Sequence, residues 1–159
     1  MNKKDTVVFD LDGTLLDTLE DLKNSVNYAM TQCGYPEHTL DEVRRYVGNG
    51  ILLLMQRAIP GGKDDPNFDK AFTLFKEHYG KHCNDTTKPY AGIMELLHTL
   101  KENNIKIAIV SNKADFAVKE LNAIYFKDLI PVAIGEKESE GIRKKPAPDT
   151  VIEALKQLG

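Results

Sequence analysis

Three short runs of apolar, mostly β-branched residues punctuate the chain, and each stops abruptly at polar residues or glycine. Thr6-Val7-Val8-Phe9 ends at Asp10-Leu11-Asp12-Gly13-Thr14. Ile105-Lys106-Ile107-Ala108-Ile109-Val110 ends at Ser111-Asn112-Lys113, and Leu129-Ile130-Pro131-Val132-Ala133-Ile134 ends at Gly135. Runs of this kind bounded by turn residues predict buried strands. Pro131 has no N–H for a ladder bond, so the third strand is expected to begin at or after it. Elsewhere the apolar spacing is helical. Ile93, Leu96, Leu97 and Leu100 predict a helix leading into the second strand. Phe116, Val118, Leu121 and Ile124 predict another between the second and third, and Val151, Ile152, Leu155 and Leu158 a last one. Pro148 stands near the start of that last helix and Gly159 just beyond its end. Helices alternating with apolar strands imply an α/β fold whose parallel sheet is covered on its faces.

The stretch 16–90 breaks the rhythm. It reads as four successive helices, Leu19 to Cys33, Leu40 to Val47, Ile51 to Ile59 and Phe68 to His82. Gly34-Tyr35-Pro36, Gly48-Asn49-Gly50 and Pro60-Gly61-Gly62 separate them. A two-part organisation follows: a sheet-forming part of residues 1–15 and 91–159, and a helical insert of residues 16–90 expected to lie over the sheet's carboxyl edge.

Composition narrows the functional classes. A chain of 159 residues buries roughly 70% of its unfolded surface and needs no staple. Apolar residues at 42% and charged residues at 28% are the balance of a soluble globular protein. A net charge of −3 argues against a nucleic-acid binder, so an anionic substrate must be held by a local site or a metal ion. No apolar run spans a bilayer and no signal peptide is evident, so a membrane association is not expected. Two distant cysteines, Cys33 and Cys83, suit a reducing cytoplasm. The sequon Asn84-Asp85-Thr86 is read as a chance match in that setting.

In an open parallel sheet, ligands bind outside the carboxyl ends of the strands. Asp10 and Asp12 follow the first strand, Ser111 and Asn112 the second, and Lys145 lies in the loop Lys144-Lys145-Pro146-Ala147-Pro148-Asp149 before the last helix. These residue types suit phosphoryl transfer. A carboxylate can attack phosphorus, a second carboxyl can exchange a proton with the leaving oxygen and then with water, and a hydroxyl and an ammonium can stabilise the equatorial oxygens. Two carboxylates beside a phosphate dianion call for Mg2+.

Val8-Phe9-Asp10-Leu11-Asp12-Gly13-Thr14-Leu15-Leu16-Asp17-Thr18 resembles the first signature of the haloacid dehalogenase (HAD) superfamily of phosphatases. Val110-Ser111-Asn112-Lys113 resembles its second motif and Lys145-Pro146-Ala147-Pro148-Asp149 its third. Val47-Gly48-Asn49-Gly50 and Lys88-Pro89-Tyr90-Ala91-Gly92-Ile93 resemble the phosphoglycolate phosphatase branch, as does the placement of the helical insert. The resemblance spans essentially the whole chain. It implies a Rossmannoid catalytic core with an inserted α-helical cap, and a Mg2+-dependent hydrolysis of a small phosphomonoester such as 2-phosphoglycolate through an aspartyl-phosphate. Asp10 would be nucleophile and metal ligand. Asp12 would be general acid/base and give the metal its backbone carbonyl. Ser111 and Lys145 would bind the phosphoryl group with the amides near Leu11, Asp12 and Asn112. Gly48, Asn49 and Gly50 would form a cap loop that selects substrate. The family's dehalogenases lack the second Asp, which favours a phosphatase here.

The family's fourth motif, an acidic pair after the next strand, lies beyond Gly159, so a truncated and catalytically impaired chain is one expectation. On the same resemblance, that strand would pair with Val7-Val8-Phe9. Other capped enzymes of the superfamily (a sugar-phosphate phosphatase, a pyrophosphatase or a β-phosphoglucomutase) and a phosphoacceptor domain are the alternatives. Homo-oligomerisation stays open. His78, His82 and Cys83 mimic a metal spacing, but Gly80 between the histidines weakens the regular helix that would hold them on one face, and a metal site is the minor reading.

Overall fold

A computed structural model describes residues 4–159. In chain order its elements are β1 (Thr6–Phe9), β2 (Leu16–Asp17), α1 (Leu19–Gln32), α2 (Leu40–Tyr46), α3 (Ile51–Ala58), α4 (Phe68–His82) and β3 (Lys88–Pro89). There follow α5 (Ile93–Glu102), β4 (Lys106–Ala114), α6 (Asp115–Tyr125), β5 (Val132–Glu136) and α7 (Asp149–Leu158). The chain divides into two compact units, Met1–Leu16 with Pro89–Gly159, and Asp17–Lys88. Among the described residues, no helix is long and apolar enough to cross a membrane.

The first unit is a parallel α/β sandwich. Its sheet runs β1-β4-β5, with Val8 opposite Ala108 and Val110 opposite Ile134. Alternation along β4 sends Ile107 and Ile109 to one face and Ala108 and Val110 to the other. The first face meets Leu97 of α5 and Val118 and Leu121 of α6, and the second meets Ala154 of α7. Residues buried on both faces explain why β4 reads as an unbroken apolar run. β5 begins at Val132, immediately after Pro131.

The predicted apolar faces of three helices differ from those observed. Phe116 is 65% exposed, and Ile124, Leu96, Ile152 and Leu155 are also exposed. Each helix carries more apolar positions than one stripe can hold. Phe116 and Val118 are two residues apart, which places them on nearly opposite sides of α6, and the face that packs is Ala117, Val118 and Leu121. On α5, Leu97 is buried, with Ile93 and Leu100 partly buried beside it, whereas Leu96 is displaced around the axis. On α7 the stripe is Thr150, Val151, Ala154 and Leu158, so small side chains face the sheet.

Between the β2 and β3 segments the regular elements of the second unit are all helices, joined by short loops. Leu22, Val26, Ala29 and Met30 of α1 pack on Phe68, Ala71, Phe75 and Tyr79 of α4, with Val43, Leu54 and Met55 completing the core. Thr39 opens α2 with a capping box: its hydroxyl accepts the Glu42 N–H and the Glu42 carboxylate accepts the Thr39 N–H. As the apolar spacing predicts, and in spite of Gly80, α4 runs without interruption to His82. A single interior glycine costs about 1 kcal/mol relative to alanine, which the buried aromatic stripe outweighs. His78 shares a hydrogen bond with Ser25 Oγ at 2.9 Å and stacks on Tyr28, while His82 pairs with Asp85.

Asp21 is almost fully buried in the first turn of α1. Its carboxylate accepts the backbone N–H groups and both hydroxyls of Thr86 and Thr87, at 2.8–3.1 Å. This ties the end of the helical unit to its beginning.

Candidate active site

The carboxyl ends of β1 and β4 lie side by side because the two strands are paired in parallel. β1 delivers Asp10, and the chain then folds into a tight turn. The Leu11 carbonyl accepts from the N–H groups of Thr14, Leu15 and Leu16, and the Gly13 N–H donates to the Leu16 carbonyl at 2.9 Å. Gly13 adopts φ +75°, a conformation that costs glycine little and other residues more. The turn holds Asp12 two residues beyond Asp10, on a backbone pinned at both ends.

β4 continues past the predicted end at Val110 as far as Ala114, but its pairing with β5 is irregular. Val110 lies opposite Ile134 and Ala114 opposite Glu136, so Ser111, Asn112 and Lys113 bulge against a single residue of the partner strand. That residue is Gly135, and it has no room for a side chain. A Cβ there would stand 2.4 Å from Asp115 Cα and 2.5 Å from the Lys113 carbonyl oxygen. The Gly135 N–H donates to Asp115 Oδ1 at 2.9 Å, which closes the bulge. Within it, Ser111 is buried and its Oγ accepts the Lys113 N–H at 3.2 Å.

Lys145 reaches the same place from the loop before α7. Asn112 clamps its backbone from both sides: the Asn112 amide donates to the Lys145 carbonyl at 3.1 Å, and the Lys145 N–H donates to Asn112 Oδ1 at 2.9 Å. The Lys145 ammonium then donates to Asp10 Oδ1 and to the Val110 carbonyl, both at 2.9 Å. Arg143 holds the far side of the loop through a two-pronged pair with Asp149, at 2.9 and 2.8 Å. The guanidinium keeps the Asp149 carboxyl below its ordinary range, and Asp149 in turn raises Arg143.

The structure therefore brings together Asp10, Leu11, Asp12, Ser111, Asn112 and Lys145. Asn112 is drawn in through its side chain, which positions the Lys145 backbone. Gly48, Asn49 and Gly50 belong to the helical unit. Gly48 and Gly50 have φ of +112° and +91°, and Arg57 of α3 binds the loop through the Tyr46 carbonyl and Asn49 Oδ1.

One residue with a place in this site was not singled out from the sequence. The Lys113 ammonium donates to Asp12 Oδ1 at 2.9 Å, and its side chain is 4% exposed. The two lysines thus divide the two carboxylates between them, Lys145 on Asp10 and Lys113 on Asp12. The signal lay in the motif Ser111-Asn112-Lys113 itself, but a lysine after a strand reads by default as a solvated one.

The donors available to a metal are all oxygens. Asp10 offers a carboxylate with 45% of its side chain exposed, and the Asp12 backbone carbonyl follows in the same turn. Among the described residues there is no cluster of three His, Cys, Asp or Glu side chains suited to a metal. One carboxylate and a carbonyl fit a hard cation such as Mg2+, which takes much of its shell from water and substrate oxygens.

Residues 7–159 match the haloacid dehalogenase-like hydrolase family. The chain is 32% identical over 158 residues to the phosphoglycolate phosphatase of Thiobacillus denitrificans, covering 96% of this chain and 69% of that protein. It is also 32% identical over 157 residues to the phosphoglycolate phosphatase of Aquifex aeolicus, covering 96% and 70%. In three dimensions it superposes on a candidate phosphoglycolate phosphatase from Lactobacillus delbrueckii subsp. bulgaricus with a TM-score of 0.87 at 33% identity. That match covers 99% of this chain and 74% of the other. Sequence, sheet topology and the residues gathered at the strand ends agree, and the chain belongs to the haloacid dehalogenase-like hydrolase family.

Proposed function

We propose that this hydrolase is a phosphatase acting on a small phosphomonoester, with 2-phosphoglycolate the favoured substrate, by way of an aspartyl-phosphate on Asp10. The observation that carries the reading is the contact of Lys145 with Asp10 at the end of β1, beside Asp12 and the Ser111 hydroxyl. The phosphoglycolate phosphatases among its relatives support the choice of substrate.

The chemistry follows from the groups present. An Asp10 carboxylate oxygen attacks phosphorus and forms the new P–O bond as the bond to the substrate's bridging oxygen breaks. The departing electron pair stays on that oxygen, and the Asp12 carboxyl supplies its proton. Asp12, now a carboxylate, takes a proton from a water whose oxygen attacks phosphorus, releasing inorganic phosphate and restoring Asp10. Ser111 accepts the Lys113 N–H, which orients its own O–H to donate to a phosphoryl oxygen. Lys145 offsets the negative charge that spreads over those oxygens in the transition state. Mg2+, when bound at Asp10 and the Asp12 carbonyl, supplies the positive charge that offsets repulsion between the nucleophile and the phosphate. Selection among substrates by Gly48, Asn49 and Gly50 belongs to the same proposal, on the strength of the family resemblance.

The test is phosphate release from a panel of small phosphomonoesters, 2-phosphoglycolate included, with Mg2+ and with a chelator. Repeated turnover that requires Mg2+ and is fastest on 2-phosphoglycolate is the expected result. Uptake of one phosphate per chain without turnover would mark a phosphoacceptor domain instead.

A further inference from the structure

We infer that Lys113 is a positioning residue for proton transfer, holding the Asp12 carboxylate in the orientation from which it serves the leaving oxygen. The inference rests on the proposed role of Asp12 and adds a residue to it.

Three observations carry it. The first is the contact, 2.9 Å between the Lys113 ammonium and Asp12 Oδ1. The second is the difference in burial, since the Lys113 side chain is 4% exposed and that of Asp12 25%. An ammonium shut away from water is costly unless paired, so the lysine stays with its carboxylate, and the carboxylate gains a fixed anchor on one oxygen. The third is the rigidity of both mounts. Lys113 sits in the bulge closed by Gly135 and Asp115, and its N–H is bonded to Ser111 Oγ. Asp12 sits in the turn tied by the Leu11 and Leu16 carbonyls. A carboxylate on a short side chain has few rotamers, and anchoring Oδ1 selects among them. General acid–base catalysis depends first on geometry, and a displacement of about 1 Å can cost on the order of 10²-fold in rate.

Lys145 cannot replace it, because Lys145 is engaged with Asp10 and the Val110 carbonyl. A competing role for Lys113 is direct binding of an anionic group elsewhere on the substrate. The two roles separate experimentally, because one acts through the leaving group and the other through substrate charge.

The experiment compares the full chain with Lys113→Met, Lys113→Gln, Asp12→Asn and the double variant Asp12→Asn/Lys113→Met. The substrates are phosphomonoesters whose leaving groups run from alkyl alcohols to nitrophenol, all with Mg2+ present. Lys113→Met is expected to lower kcat/KM for alkyl phosphates by about 10²-fold, and for nitrophenyl phosphate, whose leaving group departs without a proton, by less than about tenfold. Lys113→Gln, which keeps a donor, is expected to recover part of the loss. The same misplacement slows attack of water on the intermediate. Nitrophenyl phosphate should therefore give a burst of one nitrophenolate per chain, and the acid-quenched protein should carry the mass of one phosphoryl group.

The double variant is expected to be no worse than Asp12→Asn, since Lys113 acts through Asp12. Equal losses across all leaving groups, additive effects in the double variant, or a loss confined to KM for substrates with a second anionic group would each overturn the inference. These results are read against Asp12→Asn, so the failures are distinct. An inactive parent chain removes the phosphatase reading and this inference with it, whereas a leaving-group dependence in Asp12→Asn that Lys113→Met lacks removes the inference alone. Circular dichroism melting of each variant separates misfolding from misplacement, with Lys113→Gln deciding the matter if Lys113→Met does not fold.

Discussion

The Asp115 carboxylate accepts the Gly135 N–H at 2.9 Å, while the Asp115 Cα occupies the space into which any Gly135 side chain would project. One residue on β5 thereby determines the shape of the segment that carries Ser111, Asn112 and Lys113. Gly135→Ala should push these backbones apart, costing about 1–3 kcal/mol of stability as overpacked sites do. Phosphate release should fall further than stability alone explains, because the bulge is displaced. Urea denaturation alongside a phosphate-release assay measures both, and a variant with parental stability and activity would show that β5 can shift without moving the bulge.

Asp10→Asn should abolish turnover. The amide is a poor nucleophile, and it also removes the carboxylate to which Lys145 donates. Retained structure by circular dichroism with no detectable phosphate release is the expected outcome. Activity within about tenfold of the parent would be incompatible with Asp10 as nucleophile.

For Asp12→Ala the loss should be about 10²–10⁴-fold in kcat, with the fold kept, because a positioned acid–base group contributes on that scale. Steady-state kinetics on 2-phosphoglycolate separates the alternatives. A change confined to KM would make Asp12 a binding group.

Asp21 gives a prediction about pH. Burial alone would raise its carboxyl, but the hydrogen bonds from Thr86 and Thr87 outweigh that effect and hold it below its ordinary value. A group depressed in the folded state contributes stability that is present above the unfolded value near 3.8 and is lost as pH falls through the folded value. Asp115 and Asp149 are depressed as well and act in the same direction. Stability should therefore hold between pH 5 and 7, by about this reasoning, and decline below about pH 4. Asp21→Asn should be less stable than the parent at neutral pH, since the carboxylate oxygen replaced by an amide NH2 can no longer accept, and the buried Thr87 donors are left short of an acceptor at about 1–3 kcal/mol. Its acid decline should also be shallower. Urea midpoints across this pH range provide the measurement, and parallel pH profiles for parent and variant would contradict the assignment.

The local elements were determined by the sequence, because each depends on neighbours a few residues away. Strand β1 over Thr6–Phe9 and helix α4 over Phe68–His82 coincide with the apolar runs that predicted them. The positions of Asp10 and Asp12 at a strand end follow from the same local pattern, and so does the late start of β5 after Pro131. Composition and three motifs in order were enough to indicate the family. The tertiary structure alone decided which apolar residues are covered. Helices α6 and α7 carry more apolar positions than one stripe can hold, and the sheet selects Val118 over Phe116 and Ala154 over Ile152. It alone also decided the bulge at Ser111–Lys113, since a register shift is a property of two strands and of a glycine 24 residues farther on than Ser111. The pairing of Lys113 with Asp12 joins residues 101 positions apart. No periodicity along the chain encodes such a contact, because it arises only when parallel pairing of β1 with β4 brings the two strand ends together and burial leaves the ammonium no better partner than a carboxylate.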